Sequence, residues 1–190
     1  MLMSVAVLNR EEFDAIEFDA ALTGDHKTAA ERMTALAATG IQSESMARAE
    51  AFVRAGEQWL LADNAGAAVK GFQMAIADGG PVDVDPRAPL CRALLQLGSS
   101  DEAGALIETM RREGRTDPRA CEMIAELLVE QSDLTGALDW ATAGVELILQ
   151  GAGQAGGTAY TGLNELLRLR YRIRNDLRLP EDEYDRMLTA

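Results

Sequence analysis

The chain has 190 residues, enough for one domain with a sizeable core or for one continuous repeat array. Apolar residues make up 47 % of it and aromatics only 5 %, and its wealth of Ala and Leu favours helix over sheet. With 31 acidic and 18 basic side chains the formal charge is -13, which speaks against nucleic acid and anionic membrane as partners and tilts any protein partner towards basic or neutral surfaces.

In chain order, residues 1–9 read as an irregular lead that lacks the basic segment of a signal peptide. No stretch reaches the length needed to span a bilayer, so the expectation is a cytoplasmic protein. A first helix runs from Glu11 to about Thr23, with Phe13, Ile16, Ala20 and Ala21 at helical spacing, and Thr23-Gly24-Asp25 interrupts it. A second runs from about Lys27 to Ala38 on the stripe Ala29, Ala30, Met33, Leu36 and Ala37, and Gly40 ends it. Ser43 or Ser45 is placed to cap the third helix, which carries Met46, Ala49, Phe52, Val53, Gly56, Trp59 and Leu60. After the turn Asp63-Asn64-Ala65-Gly66, a fourth helix holds Ala68, Val69, Phe72, Ala75 and Ile76 and stops at Gly79-Gly80-Pro81.

The Pro- and Asp-rich loop that follows leads into a helix starting near Pro86 or Pro89, since proline fits a first turn. Leu90 to Leu97 and Glu102 to about Arg112 form the next pair, split at Gly98 to Asp101. Asp117-Pro118 is a start signal for a helix over Arg119 to Glu130, and Leu134 to Leu149 follows the break Gln131-Ser132-Asp133. The glycine-rich stretch 151–157 reads as a hinge. Thr158 or Thr161 then caps a last helix to about Leu177, with Tyr160, Leu163, Leu166, Leu167, Tyr171, Ile173 and Leu177 in one stripe, and an acidic segment follows Pro180.

Three turn-plus-helix segments superimpose, DNAGAAVKGFQMAI from 63, GSSDEAGALIETMR from 98 and SDLTGALDWATAGV from 132, at offsets of 35 and 34 residues that align Ala68, Ala103 and Ala137. The 34-residue tetratricopeptide repeat places a small residue at position 8, a large apolar one at 11, Ala at 20, an aromatic or large residue at 24 and Ala at 27. The unit from Ala49 matches with Gly56, Trp59, Ala68, Phe72 and Ala75. The unit from Val84 has Cys91, Leu94, Ala103, Ile107 and Met110, and the unit from Pro118 has Ala125, Leu128, Ala137, Ala141 and Gly144.

The chain thus resembles the tetratricopeptide family. The resemblance implies an all-α fold of stacked antiparallel helix pairs forming a short right-handed solenoid. The expected organisation is one helical repeat domain over 1–190. A capping pair spans 10–48 (Glu17 stands where its small residue would be), three units span 49–151, and a C-terminal capping helix with an acidic tail spans 158–190. Units of this kind cannot bury their apolar faces alone, so they stack.

Groups that carry chemistry are sparse. His26, the single histidine, falls beside Gly24-Asp25 and reads as a turn residue facing solvent. Cys91 and Cys121 are too far apart for a metal motif and fall within helical patterns, so they read as buried, reduced thiols. No phosphate-binding glycine motif is present. The expectation is a binding module with no catalytic residues, no metal and no cofactor.

In resembled family members the first helix of each unit lines a concave groove. Carried onto this sequence, the groove-facing residues include Glu57, Leu60 and Leu61, then Arg92 and Leu95, then Glu122, Glu126 and Glu130. The last three, spaced i, i+4, i+8, share one helical face. The implied function is protein–protein interaction with a basic or neutral peptide or helix in an acidic and apolar groove. The alternative is a structural repeat protein that forms a homodimer through 158–177. Arg168, Arg170, Arg172, Arg174 and Arg178 flank the leucine stripe of the last helix, within reach of the acidic segment if it folds back.

Overall fold

A computed structural model describes residues 7–154 and 162–188. Ten helices occupy them in the order α1 (Arg10–Thr23), α2 (His26–Thr39), α3 (Arg48–Leu61), α4 (Ala65–Asp78), α5 (Arg87–Gln96), α6 (Ser100–Glu113), α7 (Pro118–Glu130), α8 (Leu134–Gln154), α9 (Leu163–Asp176) and α10 (Glu183–Arg186). The fold is all-α, with consecutive helices packed on one another in the manner of a helical repeat. The chain forms two compact units, Met1–Leu106 and Ile107–Ala190, whose boundary falls within α6.

Short polar side chains start most of the helices by accepting orphan N–H groups of the first turn. Asn9 accepts from Glu11 N at 3.0 Å, Asp25 from Thr28 N at 3.1 Å, Asn64 from Ala67 N at 3.1 Å and Asp117 from Arg119 N at 2.9 Å. Pro118 sits at the first turn of α7, where its missing N–H costs nothing. Gly24 and Gly79 stop α1 and α4 with φ of 76° and 69°, a left-handed conformation that favours glycine.

In the first unit α1 packs on α2, α2 on α3, α3 on α4 and α4 on α5. Its core holds Phe13, Ile16, Ala30, Met33, Phe52, Ala68, Phe72 and Leu94. The small residue expected at the α3–α4 crossing is there for a steric reason. A Cβ on Gly56 would stand 2.6 Å from Cε1 of the Phe72 ring, and one on Gly71 would stand 3.3 Å from the Cα of Gly56. The two backbones therefore approach as only glycine allows.

In the second unit α7 packs on α8 and α9, α8 on α9, and α9 on α10. Trp140, Ile124, Leu127, Val145, Leu166, Leu167 and Ile173 are fully buried there. Gly144 plays the part of Gly56, since a Cβ on it would lie 3.0 Å from both Cys121 Cβ and Leu166 Cδ1. Its position in the repeat pattern thus marks a crossing of α8 with α7 and α9.

Several expectations change. The lead is not irregular throughout: Leu8 is buried, its N–H donates to Ile41 O at 2.8 Å, and Val7 and Ile41 form an isolated parallel bridge. Ser43 does not cap α3, because its hydroxyl donates to Leu8 O at 2.6 Å; Ala47 is the N-cap residue and makes no side-chain cap. α8 runs through Gly151 to Gln154 where a hinge was expected from residue 151. The rest of that stretch, 155–157, and the caps proposed at Thr158 and Thr161 lie outside the described residues, as does Tyr160.

Candidate partner-binding surface

The residues expected to line a groove fall into two sets, one in each unit. In the first, Glu57 and Leu60 of α3 are half-buried and Leu61 is 60 % exposed. Arg92 and Leu95 of α5 are half-buried. In the second, Glu122 is half-buried, and Glu126 and Glu130 are exposed along α7.

The face of α3 turned towards α1 and α2 is polar although buried. Glu50, Arg54 and Gln58, spaced i, i+4, i+8, are all buried. Arg54 Nε donates to Glu17 Oε1 at 2.8 Å, and its Nη2 donates to Glu17 Oε2 at 2.5 Å and to Asp14 Oδ1 at 2.6 Å. Its guanidinium carbon lies 5.6 Å from the centroid of the Phe13 ring. Glu17, which departs from the repeat pattern at a small-residue position, is there as the bidentate partner of Arg54.

Gln58 Oε1 pairs with His26 Nδ1 at 2.9 Å, so His26 is not a solvent-facing turn residue but the half-buried first residue of α2. Glu50 accepts the Asp83 N–H at 2.9 Å. Burial pushes its carboxyl above the usual carboxylate range, and this outweighs the opposing effects of that hydrogen bond and of Arg10 and Arg54.

The Arg54 contacts set α1 alongside α3, and exposed residues outside the repeat's groove positions lie on these helices. Phe18 is 64 % exposed and Leu22 70 % exposed. Phe18 follows Glu17 directly, Leu22 is one turn further, and Leu61 is one turn beyond Gln58. The C-terminal turns of α1 and α3, helices joined by the Arg54 pairs, therefore carry large exposed apolar side chains. The signal was present in the sequence, since Phe18 and Leu22 form an i, i+4 pair outside the core stripe. Ala21, placed in that stripe, is exposed.

On α7 the acids act on one another. Burial raises the carboxyl of Glu122, and Glu126 and Glu165 raise it further against the opposing pull of Arg119. Glu165, in the first turn of α9, was not anticipated as part of this group. Most apolar residues of α9 are consumed within the unit: Leu166, Leu167, Leu169 and Ile173 are buried, Leu163 is half-buried, and Tyr171 is exposed at 39 %.

The acidic segment does fold back on α9. Arg170 Nη1 donates to Asp182 Oδ1 at 3.0 Å and to Asp185 Oδ1 at 3.2 Å, while Nε donates to Thr142 Oγ1 at 3.0 Å. Arg174 Nε donates to Asp185 Oδ2 at 3.0 Å, and its Nη1 lies 3.0 Å from Asp182 Oδ2. The arginines hold the Asp182 carboxyl well below its usual value, at about 2, Arg170 contributing most.

The clefts beside α1–α2, α6–α8 and α4–α5 measure about 160, 240 and 260 Å³. All three are smaller than the roughly 300–1,000 Å³ of a ligand pocket. Among the described residues no group of three or more His, Cys, Asp or Glu side chains is arranged to hold a metal ion, and no helix is long and apolar enough to cross a membrane. Cys91 and Cys121 are buried free thiols, and loss of solvation pushes each up to about 12. No family model matches the chain, and no curated protein matches it in sequence.

Proposed function

We propose that this chain is a non-catalytic protein-interaction module of the tetratricopeptide type, acting in the cytoplasm on a basic or neutral amphipathic helix or peptide. The observation that carries the reading is the exposure of Phe18, Leu22 and Leu61 on two helices that the buried Arg54 side chain joins. Isolated exposed apolar residues are ordinary, but three large ones on two joined helices are the candidate for a docking surface. Half-buried Leu60 extends that surface along α3. Glu57, one turn before Leu61 on α3, and a net charge of -13 favour a partner with a basic or neutral surface.

Self-association through 158–177 is the second reading. It rests on Tyr171, because the neighbouring leucines are already buried.

The test is a peptide-display selection on the intact protein, followed by affinity measurements on the selected peptides. Expected winners carry Leu or Phe at i, i+3 or i+4 spacing with Lys or Arg between them. They should bind a Leu22→Asp/Leu61→Asp variant at least about tenfold more weakly, about 1.4 kcal/mol. Both substitutions are at exposed sites, so the fold should survive them. Acidic winners, or winners that bind the variant undiminished, would refute the reading.

A further inference from the structure

The segment 180–188 is bound in an unusual way for part of a folded unit. Asp185 is its one buried residue, whereas Met187 is 39 % exposed and the preceding Leu179 41 % exposed. α10 is four residues long, far below what a helix needs to persist unaided. Little apolar burial therefore holds the segment in place.

Its contacts with the rest of the unit are instead polar and convergent. Arg170 and Arg174, one turn apart on α9, have side chains only 5 % and 11 % exposed. Between them they engage both carboxylates, Asp182 and Asp185, and Arg174 also donates to Pro180 O. Thr142 of α8 orients Arg170 from behind. The Tyr184 ring lies over the Arg170 guanidinium at 4.7 Å, and its hydroxyl donates to Glu146 of α8 at 3.4 Å.

The receiving side does not depend on the segment for its own shape. α9 is seated on α8 and α7 through Leu166, Leu167, Leu169 and Ile173. The segment also has local hydrogen bonds of its own. Asp182 accepts from Tyr184 N and Asp185 N, Asp185 accepts from Asp182 N at 3.1 Å, and the two aspartates close a capping box. Receptor and occupant thus meet through charge-assisted hydrogen bonds.

We infer that the α8–α9 face built from Arg170, Arg174, Thr142 and Glu146 is a binding site for acidic peptide segments of the pattern Asp-x-Tyr-Asp, and that residues 180–188 are its tethered, exchangeable occupant. The two guanidiniums select paired carboxylates at i and i+3, and the cation–π contact selects an aromatic residue between them. The left-handed residue Arg178, with φ of 56°, turns the chain back and keeps the segment at high local concentration. A segment presented in trans meets this competition until the tether is released.

The test uses the full chain. A fluorescent peptide of residues 179–190 is titrated into wild type and into Asp182→Asn/Asp185→Asn, with fluorescence anisotropy as the readout. The variant's own segment no longer fills the site, so it should bind the peptide at least tenfold more tightly than wild type does. A peptide carrying both Asn replacements should lose at least tenfold in affinity for the variant, and binding of the unsubstituted peptide should weaken as salt rises. Equal affinity for the two chains, or no saturable binding to a variant that still unfolds cooperatively, overturns the inference. If the double variant fails to fold, Asp185→Asn alone carries the same comparison with the same two outcomes.

Discussion

Gly56→Ala sets two effects of known sign against each other. Replacing glycine by alanine in a helix interior ordinarily stabilises by roughly 0.5–1 kcal/mol, because glycine loses more backbone freedom on folding. At this position the new methyl would stand 2.6 Å from Cε1 and 2.9 Å from Cδ1 and Cζ of Phe72. Real Cβ contacts do not come that close, and Phe72 is fully buried with no open side to retreat to. Overpacking costs about 1–3 kcal/mol and a contact this short belongs in the upper part of that range, about 2–3 kcal/mol, so against a gain of about 1 kcal/mol the net loss is about 1–2 kcal/mol.

In a chain of this length that loss corresponds to a fall of about 2–8 °C in thermal midpoint, read by circular dichroism at 222 nm. Gly104→Ala is the internal control. Gly104 is also helical, in α6, and has nothing within 4 Å of its Cβ position. It should raise the midpoint by about 1–4 °C. If Gly56→Ala left the midpoint unchanged or raised it as Gly104→Ala does, the close α3–α4 approach would be wrong.

Two further outcomes follow from buried ionisable groups. The folded state raises the Glu50 carboxyl, so that state binds the proton more tightly and loses stability as pH rises from about 4.5 through the raised value. Glu50→Gln should therefore match wild type near pH 4 and gain on it by pH 7.5 in chemical denaturation; a constant offset across that range would remove burial as the cause. Cys91 and Cys121, with thiols raised to about 12, should resist a thiol-directed chromogenic reagent at pH 8 in the native protein and both react once it is unfolded. Prompt labelling of either in the native state would contradict its burial.

The local grammar of the helices was legible because it depends on neighbours in sequence. Asp25, Asn64 and Asp117 cap, Gly24 and Gly79 terminate, and the 34- and 35-residue offsets mark residues that repeat for packing reasons. What escaped depends on partners far along the chain. Ser43 had the chemistry of an α3 cap, but Leu8, 35 residues away, takes its hydroxyl. Glu17 departed from the pattern until Arg54, 37 residues on, explained it.

α8 passed a glycine that was expected to end it. The helix cost of about 1 kcal/mol is small beside the anchorage of the preceding turns by Val145 and Ile148. In the candidate surface, Leu61 stood out because a repeat position pointed to it. Phe18 and Leu22 did not, because α1 has two apolar faces and spacing alone does not say which one meets the core.

The buried stripe Glu50–Arg54–Gln58 bears on how the chain behaves in a crowded cell. Repeat proteins carry an inherent polymerisation hazard, because the surface that receives one helix pair is by nature suited to receive another. On α3 that surface works as a keyed lock. An intruding helix pair without a carboxylate pair for Arg54 and a partner for Gln58 would strand a buried guanidinium, at a cost of about 3–5 kcal/mol. The joint therefore discriminates against helix pairs of other sequence or register, which lack the counterparts of Asp14, Glu17 and His26.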